Sequence, residues 1–368
     1  MTTILFAGGG TGGHLFPALA IGAAVQSLEP TIRLLHAGAE RGIEATVLPA
    51  RGVPHRLFPF QPLHRQAWWR NVRWPGLAVR LVREVDAWLA EVEPALVVGT
   101  GGYVSAPVVW RAARRGIPTA VVELDVRPGL ATRLVAGRVD AIWLGAPEAR
   151  EAFPEAVRQR AAVTGAPIAP PDRARVGGAR TRFGFQPGRP VMVVTGGSQG
   201  SLALNRVVAE WIGQGGAQGV QVIWATGRRT HAEFAALHRP PQVHVIDFID
   251  PLADAWAIAD VALTRAGMMT LAELAAWGVP AILVPLPSAA ADHQTPNARA
   301  MADAGAAVFV PQRELTAERL AGEVRALLAD TARREAMRAA LASRARPEAA
   351  RDLAGRAIAM LGPGYGSR

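Results

Sequence analysis

The 368-residue chain contains no cysteine. Disulfides, thiolate nucleophiles and cysteine-ligated zinc are therefore excluded. Lysine is also missing: all 40 basic residues are arginine. That removes a Schiff-base amine and the lysine of an ATPase phosphate loop. No run of about 18 uninterrupted apolar residues occurs, so no membrane span is expected. The amino terminus, "MTTILFA", has no basic segment ahead of its short apolar run, so no secretory signal is expected and a cytoplasmic protein is.

What is present is apolar and basic. Half of the residues are hydrophobic, ample for buried cores, and the length sets a prior of roughly two domains. Against the arginines stand 30 acidic residues, for a net charge of +10. Arginine suits bidentate contact with phosphate and stacking on aromatics. The balance favours an anionic partner: nucleic acid, a membrane surface or a phosphorylated substrate. Arginine-favouring codon usage would give the same total, so the placement of the arginines is more informative than their number.

Along the chain a strand, a glycine turn and a helix recur. "TTILFA" leads into "GGGTGGH" and "PALAIGAAVQSL", and "ALVVG" into "TGGYVSAP" and "VVWRAARRG". Residues 163–190, rich in Pro, Gly and Arg, read as a linker. The pattern then restarts with "VMVVTGGSQGS" before "LALNRVVAEWI" and continues to "AILVPLP". Alternating strands and helices predict parallel sheets covered on both faces. The expectation is an α/β protein of two doubly wound domains with a cleft between them. The Ala/Arg/Glu-rich end, 314–361, reads as exposed helices.

Gly8, Gly10 and Gly13 fit G-x-G-x-x-G, a spacing that lets backbone approach a pyrophosphate at a helix N-terminus. A dinucleotide enzyme would want an acid about 20 residues further on, and Glu40 comes late for that role. His14 follows the turn, ahead of a helix that Pro17 is expected to help start. A helix N-terminus disfavours imidazolium and suits a general base; a hydrogen-bonded turn histidine is the plainer alternative. The loop "TGGSQGS" (195–201) offers amides and Ser198 to a diphosphate, or is a close-packed turn. Thr270 and Glu273 match the T-x-x-E capping box, with Glu273 in a helix's first turn. Equally, that carboxylate could accept both hydroxyls of a ribose. Finally, residues 60–89 hold Trp68, Trp69, Trp74 and Trp88 among Arg65, Arg70, Arg73, Arg80 and Arg83, with no acid before Glu84. Tryptophan with arginine suits an anionic membrane interface or stacked single-stranded nucleic acid; some of the rings could instead be core.

Five segments occur in an order and spacing that resemble the MurG family of bacterial glycosyltransferases: "GGGTGGHLFPALA", "GTGGYVSAP", "GGSQGSLALN", "FIDPLADAWAIADVALTRAGMMTLAELAAWGVPAILVPLP" and "DHQTPNA". That family adds N-acetylglucosamine to the lipid-linked muramyl-pentapeptide of peptidoglycan synthesis. The resemblance covers nearly the whole chain. It implies a GT-B fold of two Rossmann-like domains. Residues 1–163 would face acceptor and membrane, 164–339 would bind the donor, and helices from about 340 to 368 would return to the first domain.

The resemblance also implies roles. The donor would be UDP-N-acetylglucosamine. Ile249 would meet uracil through its backbone, Glu273 would take the ribose hydroxyls, and Ser198 the diphosphate. Met268, Met269 and Thr270 would line the site, and Gln294 would read the sugar hydroxyls. Thr11, Gly12, Gly13 and Asp125 would lie beside the donor. The acceptor, an undecaprenyl-linked muramyl-pentapeptide, would meet Gly12, Gly13, His14, Gly101, Gly102 and Tyr103. His14 would be the catalytic base of an inverting transfer. Trp68, Trp69, Arg70, Arg73 and Trp74 would rest on an anionic membrane at its cytoplasmic face. No metal or other cofactor is required, and no nucleic acid is expected.

Two departures stand out. The family's usual "HEQN" is "VELD" at 122–125, so Asp125 replaces an asparagine. The family's "NPVR" arginine falls on Ala169, with Arg265 or Arg127 as candidate replacements near a diphosphate. Another GT-B UDP-sugar enzyme, either a glycolipid transferase or a UDP-N-acetylglucosamine epimerase, fits many of the same motifs. A basic nucleic-acid-binding protein and an NAD-dependent dehydrogenase are the readings from other classes.

Overall fold

The structure, a computed structural model, describes residues 1–59, 74–197, 199–289 and 292–362. The chain forms two units, Met1–Ala169 with Glu348–Arg368, and Pro170–Pro347.

The first unit runs β1 (Thr3–Gly8), α1 (Gly12–Leu28), β2 (Arg33–Ala39), α2 (Glu44–Ala50), β3 (His55–Phe58), α3 (Trp74–Val92), β4 (Leu96–Gly101), α4 (Ser105–Arg114), β5 (Thr119–Glu123), α5 (Leu130–Val135), β6 (Ala141–Leu144), α6 (Glu155–Arg158) and β7 (Ala161–Val163). Its parallel sheet has the order β3-β2-β1-β4-β5-β6-β7. Every residue of β1 is buried, as a strand covered on both faces requires. One face packs on α3, α4 and α5 through Leu81, Val85, Trp88, Val108 and Val135. The other packs on α1 through Ala18, Ile21 and Val25. Strand order reverses between β1 and β4, the position where open α/β sheets leave a crevice at their carboxyl edge.

The second unit runs α7 (Arg175–Arg182), β8 (Val191–Thr195), α8 (Leu202–Gly213), β9 (Gln221–Ala225), α9 (His231–Phe234), β10 (Val243–Ile246), α10 (Leu252–Ile258), β11 (Val261–Thr264), α11 (Met268–Trp277), β12 (Ala281–Leu283), α12 (Gln294–Asp303), β13 (Ala307–Phe309), α13 (Ala317–Ala329) and α14 (Thr331–Arg344). The sheet order is β10-β9-β8-β11-β12-β13, all parallel, with its reversal between β8 and β11. The last helix, α15 (Ala349–Ala359), crosses back and seats Leu353, Ala354, Ala357 and Ile358 beside α1 of the first unit.

Several expectations change. Only part of 163–190 is irregular: α7 forms there, and Phe183 and Phe185 enter the second unit's core. Asp254 of α10 bonds Arg175 at 2.9 Å and Arg182 at 2.7 Å, tying α7 down. The helices of 314–361 are not simply exposed. Leu320, Val324 and Leu327 of α13, Leu341 of α14 and the α15 stripe are buried. The return to the first unit begins at Glu348, because α14 stays with α11 in the second. Trp88 is core, edge-on to Phe58. Trp68, Trp69, Arg70 and Arg73 lie outside the described residues, and Trp74 opens α3.

Leu353 fills a closed site against α1. Leu353→Ala should cost about 2–5 kcal/mol, as buried leucine truncations do. Urea unfolding followed by circular dichroism checks it, and a loss below about 1 kcal/mol would mean that α15 is only loosely docked.

Candidate active site

In the first unit two glycine turns interlock at the β1/β4 reversal. The register slips there, so Gly8 pairs with Gly101. The Gly9 amide donates to the Gly101 carbonyl at 3.3 Å. A Cβ on Gly102 (φ +85°) would overlap the Gly9 carbonyl, and one on Gly8 the Thr100 hydroxyl. Glycine is demanded here by close approach of backbone to backbone.

The helix α1 begins at Gly12, with Thr11 as an N-cap whose side chain makes no capping bond. His14 is therefore inside the first turn. Pro17 does not start the helix but sits within it, where it lacks the N–H that would bond the Gly13 carbonyl. His14 Nδ1 lies 3.1 Å from the Gly9 carbonyl and 3.3 Å from the Thr11 hydroxyl. A carbonyl only accepts, so this contact puts the ring proton on Nδ1 and makes Nε2 the basic nitrogen. The ring lies against Gly101 (φ +98°), where an added Cβ would come within 2.6 Å of Cδ2. The Tyr103 ring covers Gly10, and burial pushes its phenol up, with the charge of Glu44 adding to the rise. Thus Thr11, Gly12, Gly13, His14, Gly101, Gly102 and Tyr103 converge on one edge of the sheet.

Two carboxylates that hold these loops escaped the sequence reading. Glu44, fully buried, accepts from the Gly10 and Ala39 amides. Glu123, the last residue of β5, accepts from the amides of Asp125 at 3.2 Å and Gly129 at 2.8 Å. It pins both ends of the loop that carries Asp125 and the exposed Arg127. Burial raises the Glu123 carboxyl to about 7, and the Asp125 charge adds to the rise while bonds from Thr132, Gly129 and Asp125 oppose it.

In the second unit the turn after β8 is built on the same principle. Cβ atoms on Gly196 and Gly200 would overlap the Ser201 amide and the Thr226 carbonyl. Ser201 caps α8 by accepting from Leu204. Ser198 lies outside the described residues. Asn205 is buried between Trp224, which donates to it at 2.9 Å, and the Thr226 carbonyl.

The N-terminus of α11 is open. Its N-cap is Gly267, with no side-chain bond, so Met268, Met269 and Thr270 form the first turn and are half-exposed. The capping-box reading is thereby overturned: Thr270 is inside the helix and Glu273 is in its second turn. Glu273 instead accepts from the Trp256 indole at 3.1 Å, and burial raises its carboxyl. Gln294 Oε1 accepts from the amides of Leu286 at 3.0 Å and Ala266 at 3.3 Å, while Asn297 donates to the Ala266 carbonyl. The Ile249 side chain is buried in the core.

Arg265 is a strut. Its Nη1 donates to the Val284 and Pro285 carbonyls, and its Nη2 to Ser201 at 2.6 Å and Gln312 at 2.7 Å. The guanidinium is buried and burial lowers its pKa to about 10. Its four Nη bonds are spent on the protein, while its Nε–H, also buried, has no protein acceptor among the described residues. It borders an open pocket of about 380 Å³ with Gly200, Ser201, Leu286 and Ser288.

Residues 4–144 match the Glycosyltransferase family 28 N-terminal domain and residues 191–353 its C-terminal domain. The chain belongs to glycosyltransferase family 28. Family 28 relatives of great similarity span nearly its whole length. One from Salinibacter ruber is 38% identical, over 97% of this chain and 96% of the relative. One from Moorella thermoacetica is 39% identical, over 94% and 95%. One from Nocardioides sp. is 39% identical, over 99% and 100%. All three are named UDP-N-acetylglucosamine--N-acetylmuramyl-(pentapeptide) pyrophosphoryl-undecaprenol N-acetylglucosamine transferase. Among solved structures, Acinetobacter baumannii MurG aligns with TM-score 0.77 at 24% identity, covering 97% of this chain and 99% of that one. The calicheamicin glycosyltransferase CalG4 aligns with TM-score 0.67 at 19% identity, covering 99% of each. The fold is GT-B, and the chain is a glycosyltransferase.

The buried Glu123 makes stability depend on pH. Its folded pKa of about 7 exceeds an unfolded value near 4.5, so the folded state holds the extra proton between them. Stability from this group is complete below about 4.5 and is lost as pH rises through about 7, by at most about 3 kcal/mol. Glu123→Gln should flatten that slope. Urea midpoints for both proteins at about pH 5 and about pH 8 check it; parallel slopes would mean that the carboxyl ionises as freely folded as unfolded.

Proposed function

We infer that this chain is the inverting transferase that moves N-acetylglucosamine from UDP-N-acetylglucosamine to the muramyl sugar of an undecaprenyl-pyrophosphoryl-linked pentapeptide. The observation that carries the reading is the identity of 38% or more to transferases of that name over nearly the full length of both chains. Peptidoglycan synthesis, and through it cell shape and division, is the setting the reading implies.

The second unit receives the donor. The open first turn of α11, Met268 to Thr270, presents unpaired amides to the diphosphate. Ser198 and its loop hold the same group. The Ile249 side chain is anchored in the core, so its backbone is what meets the base. Glu273, oriented by the Trp256 indole, accepts the ribose hydroxyls. Gln294, held by its carbonyl oxygen, turns its amide nitrogen to the sugar hydroxyls and tests their configuration.

The first unit receives the acceptor at the interlocked turns. Gly12, Gly13, Gly101, Gly102 and Tyr103 meet its diphosphate and muramyl sugar. His14, through Nε2, takes the proton of the attacking hydroxyl as the new bond forms at the anomeric carbon. UDP departs on the opposite side, and inversion follows. Helix N-termini and loop amides balance the developing charge, so the reading calls for no metal and no other cofactor.

The lipid acceptor calls for a membrane surface, and the protein is read as peripheral to the cytoplasmic face. No helix among the described residues is long and apolar enough to cross a membrane. Exposed Val79 on α3 and Leu130 and Leu134 on α5 lie among exposed Arg80, Arg83, Arg133 and Arg138. These two helices flank α4 on one face of the sheet. They supply an apolar surface rimmed by positive charge, suited to anionic lipid and not to nucleic acid; Trp68, Trp69, Arg70 and Arg73, read from the sequence as membrane contacts, lie outside the described residues.

The wild type should transfer labelled N-acetylglucosamine to a soluble acceptor analogue. His14→Ala should lower kcat by about 10²–10⁴-fold. UDP affinity by calorimetry should stay within about twofold, and the acidic limb of the rate–pH profile should vanish. A wild-type kcat with only a raised acceptor KM would make His14 a binding contact and send the search for the base to Asp125.

Leu130→Ser with Leu134→Ser should weaken sedimentation with anionic vesicles by about 30-fold, at roughly 1 kcal/mol for each exposed leucine withdrawn from lipid. Turnover of the soluble analogue should be unaffected. Unchanged sedimentation would remove α5 from the membrane surface.

A further inference from the structure

Glu44 sits 34 residues beyond the first glycine turn, yet the turn is built around it. The side chain is completely buried. Its two oxygens accept from the Gly10 amide at 2.9 and 2.8 Å, and Oε1 also accepts from the Ala39 amide at 2.8 Å. A Cβ on Gly9 or Gly42 would overlap the carboxyl group, and one on Gly38 would press within 2.5 Å of Cγ. Three glycines from three segments are thus cut away to admit one carboxylate. On its other side Gly10 (φ +92°) is covered by the Tyr103 ring.

This placement alters what the turn can bind. Gly10 is the amide that a G-x-G-x-x-G turn would be expected to offer to phosphate, and an internal anion already holds it. The amides of His14 and Leu15 are likewise spent, on the Thr11 carbonyl. Among the described residues, the amides of Gly12 and Gly13 at the start of α1 have no backbone or side-chain acceptor. The negative charge under Gly10 opposes a second anion at that position. The same bonds fix the backbone from Gly9, whose carbonyl orients the His14 ring at Nδ1.

We propose that Glu44 is a positioning residue for the transfer: as a built-in anion it occupies the leading amide of the glycine turn, directs the acceptor's diphosphate to Gly12 and Gly13, and holds the Gly9 carbonyl that aims His14. The proposal rests on reading this turn as the acceptor site and His14 as the base. Glu44→Gln keeps the shape, but its amide group turns a donor toward amides that need acceptors.

The test is a double-mutant cycle of Glu44→Gln and His14→Ala with the soluble acceptor analogue, beside ¹⁵N-glycine spectra of the wild type titrated with inorganic pyrophosphate. Glu44→Gln should fold, keep UDP affinity within about twofold, and lose about 10–100-fold in kcat. At saturating acceptor the double variant should have a kcat no lower than that of His14→Ala alone, because Glu44 affects kcat through the ring, whereas its steering of the diphosphate is read in the acceptor KM. Pyrophosphate should move the amide signals of Gly12 and Gly13 and leave that of Gly10 in place. A wild-type kcat in Glu44→Gln, or losses that multiply in the double variant, would overturn the proposal. Should Glu44→Gln fail to fold, the spectra decide: a Gly10 amide that shifts with Gly12 and Gly13 sinks it. If His14→Ala alone keeps full kcat, the base assignment fails, and the Gly10 signal still judges Glu44 by itself.

Discussion

The close approach of two backbones at the β1/β4 reversal is the constraint on which the first unit depends. Parallel strands that part at a reversal leave their carboxyl ends facing solvent, with no neighbour to satisfy them. Here the gap is closed by chain instead of side chain: Gly102 rests on the Gly9 carbonyl, and the Gly9 amide meets Gly101. Any side chain at Gly8 or Gly102 would force the turns apart. The second unit repeats the solution with Gly196, Gly200 and Gly227, so both sheets present amides and helix ends at their carboxyl edge.

Electrostatic compensation follows a second rule in both units. Buried ionisable groups are satisfied by neutral polar groups, most of them backbone, and not by opposite charges. Glu44 and Glu123 accept from amides, and Arg265 donates to two carbonyls, a hydroxyl and an amide oxygen. Such pairing avoids the desolvation of a second ion, which in a buried salt bridge can exceed the attraction gained. It also locks loop backbone in place, which is what a site assembled from turns requires. Most ion pairs, by contrast, are at the surface, such as Arg356 with Asp352, where they contribute little.

Much of this architecture was legible in the sequence, because apolar runs ending in glycine turns leave few alternatives to parallel sheets. His14, Tyr103, Gln294 and the first turn of α11 fall at sheet edges for the same reason. What stayed hidden depends on distance or on disguise. Glu44 is the partner of a turn that precedes it by a helix and a strand, and nothing local to "GIEATVL" announces it. Thr270 and Glu273 imitate a capping box, but the extended conformation of Gly267 starts the helix earlier. The stripe Leu353, Ala354, Ala357 and Ile358 is apolar at helical spacing, yet alanine and arginine around it gave a solvated look. Trp88 was grouped with an acid-poor segment, although Leu81, Val85 and Leu89 mark its face of α3 as core.

The return of α15 to the first unit has a consequence for how the chain is made. A protein leaves the ribosome from its amino end at about 5–20 residues per second, and domains usually fold as they emerge. This first unit cannot do so completely. The seat beside α1 for Leu353 and Ile358 stays open while the whole of Pro170–Pro347 is synthesised. The second unit, though later in sequence, is contiguous and can close first. The chain's earliest residues are therefore the last to be sealed, and for that interval an apolar face beside α1 stands uncovered for a chaperone or a neighbouring chain to find.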